Sequence, residues 1–152
     1  MVETQERNAP DRLGQASMAL AALGALDSIY LIYIKISHAQ AAFCAPGGGC
    51  DIVNGSPFSE IGGVPIAVLG LGAYLLMIAL LWLQPRSPFL AENGPLILFG
   101  LSLTGVLYSA YLTYLELFVI NAICPYCVVS AVLLVGLLVL SILRLRQQNL
   151  TD

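Results

Sequence analysis

The sequence has 152 residues, of which 59% are hydrophobic and only 10% charged, with a formal net charge of −3. Soluble domains carry about 25% charged residues, so this composition excludes an ordinary soluble domain and places the chain among membrane proteins. The small net charge and the lack of a basic run exclude a nucleic-acid-binding surface.

A short charged tail, 1–13, leads into a first apolar stretch, 14–36, interrupted only by Asp27 and Lys35. A bilayer-spanning helix needs about 20 apolar residues, so this stretch is predicted to span. Its apolar part is too long for a signal peptide, and its far end (Tyr30, Tyr33, Lys35) lacks a small-residue cleavage site. A loop over 37–63 follows. No Asp, Glu, Lys or Arg occurs between Glu60 and Arg86, between Glu92 and Glu116, or between Glu116 and Arg144. These gaps predict spans at 64–83, 95–118 and 124–143, followed by a charged tail at 144–152. The expected architecture is an all-α, integral membrane four-helix bundle over 14–143, with a long outward-facing first loop and two cytoplasmic tails.

Four spans put both termini on one side. That side holds Arg7, Arg12, Arg86, Arg144 and Arg146; the other holds only Lys35. The positive-inside rule then makes the termini and the 84–93 loop cytoplasmic. The first loop and a short turn near 119–123 face outward, into a periplasm or a lumen.

Both cysteine pairs fall on that outer side. One is Cys44-Ala45-Pro46-Gly47-Gly48-Gly49-Cys50, in the first loop; the other is Cys124-Pro125-Tyr126-Cys127, at the mouth of the last span. Disulfides form and persist in such compartments. Pro125 suits the first position of a helix, which leaves Cys124 near the N-cap, where free N–H groups and the dipole stabilise a thiolate. The thiolate is the attacking species in disulfide exchange. Cys127 is expected one turn deeper, so that Cys124 is the exposed sulfur and Cys127 the one facing the bilayer. The glycines free the loop to present Cys44 and Cys50 in turn. A static Cys44–Cys50 staple and a four-cysteine zinc site are the competing readings; the five residues between the loop cysteines are wider than usual zinc knuckles. A dithiol relay in a membrane needs a terminal acceptor. There is no Rossmann glycine fingerprint, and the single histidine, His38, excludes bis-histidine haem within one chain. A quinone dissolved in the bilayer is the natural acceptor, with its ring beside Cys127.

Several motifs combine with these pairs. Ser56 lies six positions after Cys50, Gly63-Val64-Pro65 opens the second span with Gly70 five residues past the proline, and a CxxC opens the last span. Asp27-Ser28-Ile29-Tyr30-Leu31 lies in the first span. Together these resemble the vitamin K epoxide reductase family, especially its bacterial members, over roughly 14–143. The loop pair precedes the CxxC, unlike the order in the disulfide-bond protein B family. The resemblance implies a four-helix bundle around a quinone of the ubiquinone, menaquinone, phylloquinone or plastoquinone type. It implies catalytic roles for Cys44, Cys50, Cys124 and Cys127, and a quinone contact for Ser56. Many bacterial members carry a fused thioredoxin-like domain after the helices; none follows here, which implies a separate thioredoxin-fold dithiol partner on the outer face. Where the animal enzymes have a tyrosine four positions after the CxxC, this chain has Ala131. The implied location is a bacterial inner membrane or a thylakoid.

The resulting expectation is a quinone-dependent thiol oxidoreductase supporting disulfide-bond formation. Cys44 meets the partner, Cys50 exchanges with Cys124, and Cys127 passes electrons to the quinone; the two loop cysteines in swapped roles are the alternative. Ser56 contacts the quinone or serves as a turn serine before Pro57. Asp27, an intramembrane acid, pairs with Ser28, Ser102 or Tyr108, or supplies protons. Tyr108, Tyr111 and Tyr114 are interfacial anchors, with Tyr114 also a candidate quinone donor. Gly63, Ala67, Gly70 and Gly72 let helices approach. His38 is an exposed loop residue with a proton-accepting role as its alternative. A membrane scaffold with structural disulfides and a small transporter using Asp27 are the rival functions; both would survive loss of Cys127.

Overall fold

The computed structural model describes residues 12–38, 42, 44 and 48–151. Arg7, Ala45, Pro46, Gly47 and Asp152 lie outside them. In chain order the elements are α1 (Arg12–Ser37), a short α2 (Gly49–Gly55), a 3-10 turn (Pro57–Ser59), β1 (Glu60–Ile61), β2 (Val64–Pro65), α3 (Ile66–Leu83), a second 3-10 turn (Gln84–Arg86), α4 (Pro88–Leu115) and α5 (Pro125–Thr151). Four helices are long and apolar enough to cross a membrane: Arg12–Ser37, Ile66–Arg86, Pro88–Ile120 and Pro125–Leu150. The fold is therefore an all-α membrane bundle, with one two-stranded ribbon in the loop between its first two spans.

Helix ends differ from the apolar limits for physical reasons. Pro88 occupies the first turn of α4, where a missing N–H costs nothing. The polar turn after it is helical although it is too hydrophilic to count as span. Pro95 sits inside the helix and is buried without ending it. At its C-terminal end α4 widens into a π-turn, Glu116–Ile120, closed by Asn121 in the left-handed region at φ 53°. Asparagine tolerates that conformation.

Around the bundle, α1 packs against α3 and α5, α5 also packs against α4, and of the four neighbouring pairs α3 and α4 touch least. The deep core joins Ala21 and Ala25 of α1, Tyr74, Met77 and Leu81 of α3, Leu98 of α4, and Leu134 and Leu137 of α5. The Tyr74 ring lies against Gly24, where a Cβ would collide with it. Large apolar side chains such as Leu26, Leu75, Leu107 and Val132 point outward, as a lipid-facing surface requires. Tyr74 reaches across from α3, its hydroxyl 2.9 Å from the Ser130 Oγ on α5.

The first loop folds back over one end of the bundle. β1 and β2 pair antiparallel, with Glu60 opposite Pro65. Gly62 and Gly63 turn the ribbon at φ 59° and 84°, a conformation that favours glycine. Gly63 is thus a turn residue rather than a helix-packing one, and a Cβ at Gly72 would meet nothing within 4 Å. Gly70 does face a neighbouring helix: a Cβ there would lie 3.4 Å from the Ser28 Oγ. Lys35 fastens α1 to this layer: its Nζ donates to the Asn54 carbonyl at 3.2 Å and the Ser59 Oγ at 2.9 Å, and pairs with Glu60 at 3.0 Å.

Candidate redox site

The four cysteines come together at the end of the bundle that the first loop covers. Cys50 and Cys124 belong to one apolar cluster with Leu31 and Ile34, flanked by Cys44, Tyr126 and Cys127. Cys44 and Cys50 form a disulfide, and Cys124 and Cys127 are free thiols. The Cys50 and Cys124 sulfurs lie 3.9 Å apart across 74 positions of sequence.

Local structure explains this approach. α2 starts at Gly49, and a Cβ at Gly49 would run into the backbone carbonyl of Ile123. The glycine lets the start of α2 lie directly on the segment before Cys124. Its value here is the absence of a side chain, not loop freedom: Gly48, the N-cap of α2, has φ −81°, which any residue adopts. Two tyrosines hold the loop from the other side. The Ala42 N–H donates to the Tyr30 hydroxyl at 2.9 Å, and the Tyr126 hydroxyl donates to the Ala42 carbonyl at 2.5 Å. The two rings pack with centroids 5.1 Å apart.

Cys124 differs from expectation. It is 0% exposed, not the exposed sulfur of the pair, because α2 and the loop disulfide cover the mouth of α5. Burial alone would push its thiol up. The Cys127 thiol, hydrogen-bonded to the Cys124 sulfur, outweighs burial, and nearby backbone N–H groups assist, so the Cys124 thiol lies below its ordinary value.

Cys127, one turn further on, lines a cavity of about 440 Å³ inside the bundle. The walls are mostly apolar, and Asp27, Ser28, Ser56, Tyr108, Glu116 and Ser130 supply polar groups. This suits a quinone head group, a flat apolar ring with two carbonyl acceptors: ligand pockets of about 300–1,000 Å³ are apolar with a few placed polar groups. Ser56 lines the cavity, and its hydroxyl donates to the Val53 carbonyl at 2.7 Å. It therefore combines the turn role with a place beside the cavity. Tyr114 does not line it: the side chain is 57% exposed and packs on Phe118. Tyr108, nearly two turns earlier, takes that place, because only one side of α4 looks inward. His38 is exposed at the end of α1 and does not line this cavity.

Asp27 lines the cavity too, with a buried Oδ2 that has no hydrogen-bond partner among the described residues. The expected pairing with Ser102 is not formed; that hydroxyl donates to the Leu98 carbonyl of its own helix at 2.8 Å.

Glu116 was not singled out by its sequence surroundings. It is 3% exposed, lines the cavity, and its Oε2 accepts the Cys124 N–H at 3.3 Å. Cys127 lines the same cavity wall. The signal was its isolation: it is the one charged residue between Glu92 and Arg144. Among the described residues no three His, Cys, Asp or Glu side chains gather as a metal site.

A model of the vitamin K epoxide reductase family matches residues 15–142. The thiol-disulfide oxidoreductase LTO1 of Arabidopsis thaliana is similar to this chain, 35% identical over 131 residues, which cover 82% of the chain and 35% of that protein. The chain thus spans about a third of the length of this curated relative.

Proposed function

The chain belongs to the vitamin K epoxide reductase family, and from that premise we propose that it is a membrane thiol–disulfide oxidoreductase. It passes electrons from a reduced thioredoxin-fold protein on the outer face, through its two cysteine pairs, to a membrane quinone. The thiol–disulfide oxidoreductase named among its relatives supports the chemistry. The observation that carries the reading is the 3.9 Å approach of the Cys50 and Cys124 sulfurs, a short closure away from the bond of about 2.05 Å that exchange requires.

The steps follow from exposure and contact. The partner's thiolate attacks the loop disulfide at Cys44, which is half-buried while Cys50 is fully buried. After the loop pair is reduced, the Cys50 thiolate attacks Cys124 in an oxidised Cys124–Cys127 pair, and Cys127 leaves. The Cys44 thiolate then attacks Cys50 and releases Cys124. This restores the Cys44–Cys50 disulfide beside two free thiols, the state found in the structure. Cys127 and Ser56, both on the cavity wall, would hold a quinone there. The quinone supplies a two-electron, two-proton acceptor, and the apolar walls exclude water from the exchange. The outer face is the periplasm of a bacterial inner membrane, or a thylakoid lumen, with both termini cytoplasmic.

The test uses purified protein, a short-chain benzoquinone and a reduced thioredoxin-fold donor. Quinone reduction is expected with all four cysteines and is lost on changing any one to alanine. In the Cys127→Ala variant the Cys124 thiolate has no partner of its own and attacks the loop disulfide at Cys50 with Cys44 as the leaving thiolate, so a Cys50–Cys124 disulfide should accumulate. Quinone reduction that persists without Cys127 would refute the reading, and a dominant Cys44–Cys124 link would reverse the loop roles.

A further inference from the structure

The oxidation of two thiols releases protons as well as electrons, and those of the inner pair start in an apolar enclosure. Cys124 is 0% exposed and Cys127 faces the cavity. Cys124 stands at the start of α5, where free N–H groups and the dipole favour its thiolate, and its thiol lies below its ordinary value; the proton that the reduced pair keeps is then that of Cys127. If that proton simply dissociated, two thiolates would face each other without solvent. Like charges at such distances in an apolar site repel by several kcal/mol. The Cys127 proton therefore has to leave as its electrons leave, onto a group at the same site.

Glu116 is in that position. Keeping a carboxylate out of water costs several kcal/mol, and here it accepts the Cys124 N–H at 3.3 Å and shares the cavity wall with Cys127. That bond completes the start of α5, where the N-cap residue is a cysteine rather than the usual Ser, Thr, Asn or Asp. A capping acceptor need not be charged, however, and a glutamine carbonyl would serve. The π-turn at Glu116–Ile120 is an irregularity of the kind found at functional sites, and its first residue is this carboxylate. Asp27, the cavity's other acid, sits on α1 eight residues before Lys35, about 12 Å deeper along the helix.

We propose that Glu116 is the proton acceptor of the inner cysteine pair, a role that rests on the thiol–quinone reading above. In the step, the Cys127 S–H bond breaks and its proton moves to the Glu116 carboxylate. The Cys124 thiolate and the Cys127 sulfur form the S–S bond. The two electrons pass to the quinone in the cavity, together with the proton from Glu116 and a second proton from water at the outer mouth. Charge and electrons then balance, and Glu116 returns to its carboxylate.

The experiment compares wild type with Glu116→Gln and Glu116→Ala. Each is driven by a reduced thioredoxin-fold donor with a short-chain benzoquinone, acid-quenched, and mapped by mass-tagged alkylation. Glutamine keeps the acceptor for the Cys124 N–H but takes no proton. In Glu116→Gln, a species with Cys44–Cys50 joined and both Cys124 and Cys127 alkylated should accumulate, with inner-pair oxidation slowed by about 10²-fold. The solvent deuterium effect on that step should be present in wild type and altered in the variant. Oxidation in Glu116→Gln at the wild-type rate, with only Glu116→Ala impaired, would reduce Glu116 to a helix cap and overturn the proposal. The same comparison with diamide, a quinone-free acceptor of two electrons and two protons, keeps the two ideas apart. Wild type that responds to diamide but not to benzoquinone sinks the quinone reading, while the Glu116→Gln deficit with diamide still decides the proton role.

Discussion

Gly49→Ala is the sharpest test of how the fold joins the two cysteine pairs. A Cβ on Gly49 would lie 2.8 Å from the Ile123 carbonyl carbon and 3.0 Å from its nitrogen, with the carbonyl oxygen nearer still. Ordinary contact begins near 3.4 Å, so the start of α2 must retreat by at least about half an ångström for those two atoms, and by about 1 Å or more for the oxygen. Cys50 is the next residue and moves with it. The exchange step needs the opposite motion, closing the sulfurs from 3.9 Å to about 2.05 Å. Misplacing reacting groups by about 1 Å costs about 10²-fold in rate. Gly49→Ala, placed in the Cys127→Ala background, should slow formation of the Cys50–Cys124 disulfide by that factor, read by non-reducing peptide mapping over time. Gly55→Ala is the control: it lies in the same short helix, and a Cβ there meets nothing within 4 Å. If Gly49→Ala formed the link as fast as Gly55→Ala, close backbone approach would not be what aligns the sulfurs.

Tyr30→Phe and Tyr126→Phe each remove one hydrogen bond from Ala42. Each is expected to weaken loop closure by about 1 kcal/mol, roughly fivefold faster amide exchange at Ala42 by hydrogen–deuterium measurement; unchanged exchange would refute the tyrosine grip. Cys127→Ala removes the bond that most lowers the Cys124 thiol. The thiolate then forms at higher pH, so the midpoint of Cys124 alkylation against pH should move upward; a downward or absent shift contradicts that cause. Lys35→Gln removes the ammonium shared by Asn54, Ser59 and Glu60. Glu60 is 46% exposed, which keeps the ion pair itself below about 1 kcal/mol; with the two hydrogen bonds from a charged donor the loss is about 2 kcal/mol, measured as a lower Tm. Retention of Tm would mean the outer layer is held without Lys35.

The bundle was legible because lipid tolerates few charges. Three uninterrupted apolar gaps and a fourth broken by Asp27 and Lys35 mark the helices that form. Their ends were less so: helix continues wherever backbone bonds allow, and the second turn of α4, with Glu92 and Asn93, is polar but still helical. The cysteine motifs singled out the sulfurs, and the fold brings them into one cluster. What covers them was hidden, since the burial of Cys124 depends on α2, whose seven residues Gly49–Gly55 have no span-length pattern. Tyr114 and Tyr108 share a helix and a residue type, and only the rotation of α4 in the bundle distinguishes the inward one. Glu116 looked like a boundary between apolar stretches. Its contacts arise from the π-turn and the chain reversal at Asn121, neither of which leaves a periodic signature.

Burial orders the four sulfurs, and under the proposed function that order gives the relay its direction. Cys44 is half-buried and faces the loop side; Cys50 and Cys124 are fully buried; Cys127 opens onto the cavity. A soluble thiol can reach the first of these and a membrane-dissolved acceptor the last, while neither reaches the middle two. Disulfide exchange requires direct attack of one sulfur on another, so the sealed pair reacts only with its neighbours. A stray thiol that entered at Cys124 would reduce the inner pair without oxidising the intended partner; the Leu31 and Ile34 side chains packed around Cys50 and Cys124 close that route. The same seal creates the proton problem. A couple shielded from stray thiols is also shielded from water, and a carboxylate beside Cys127 is what such a couple needs. Apolar enclosure of the central sulfurs and retention of a buried Glu116 are thus two consequences of one requirement, that electrons travel by sulfur contact alone.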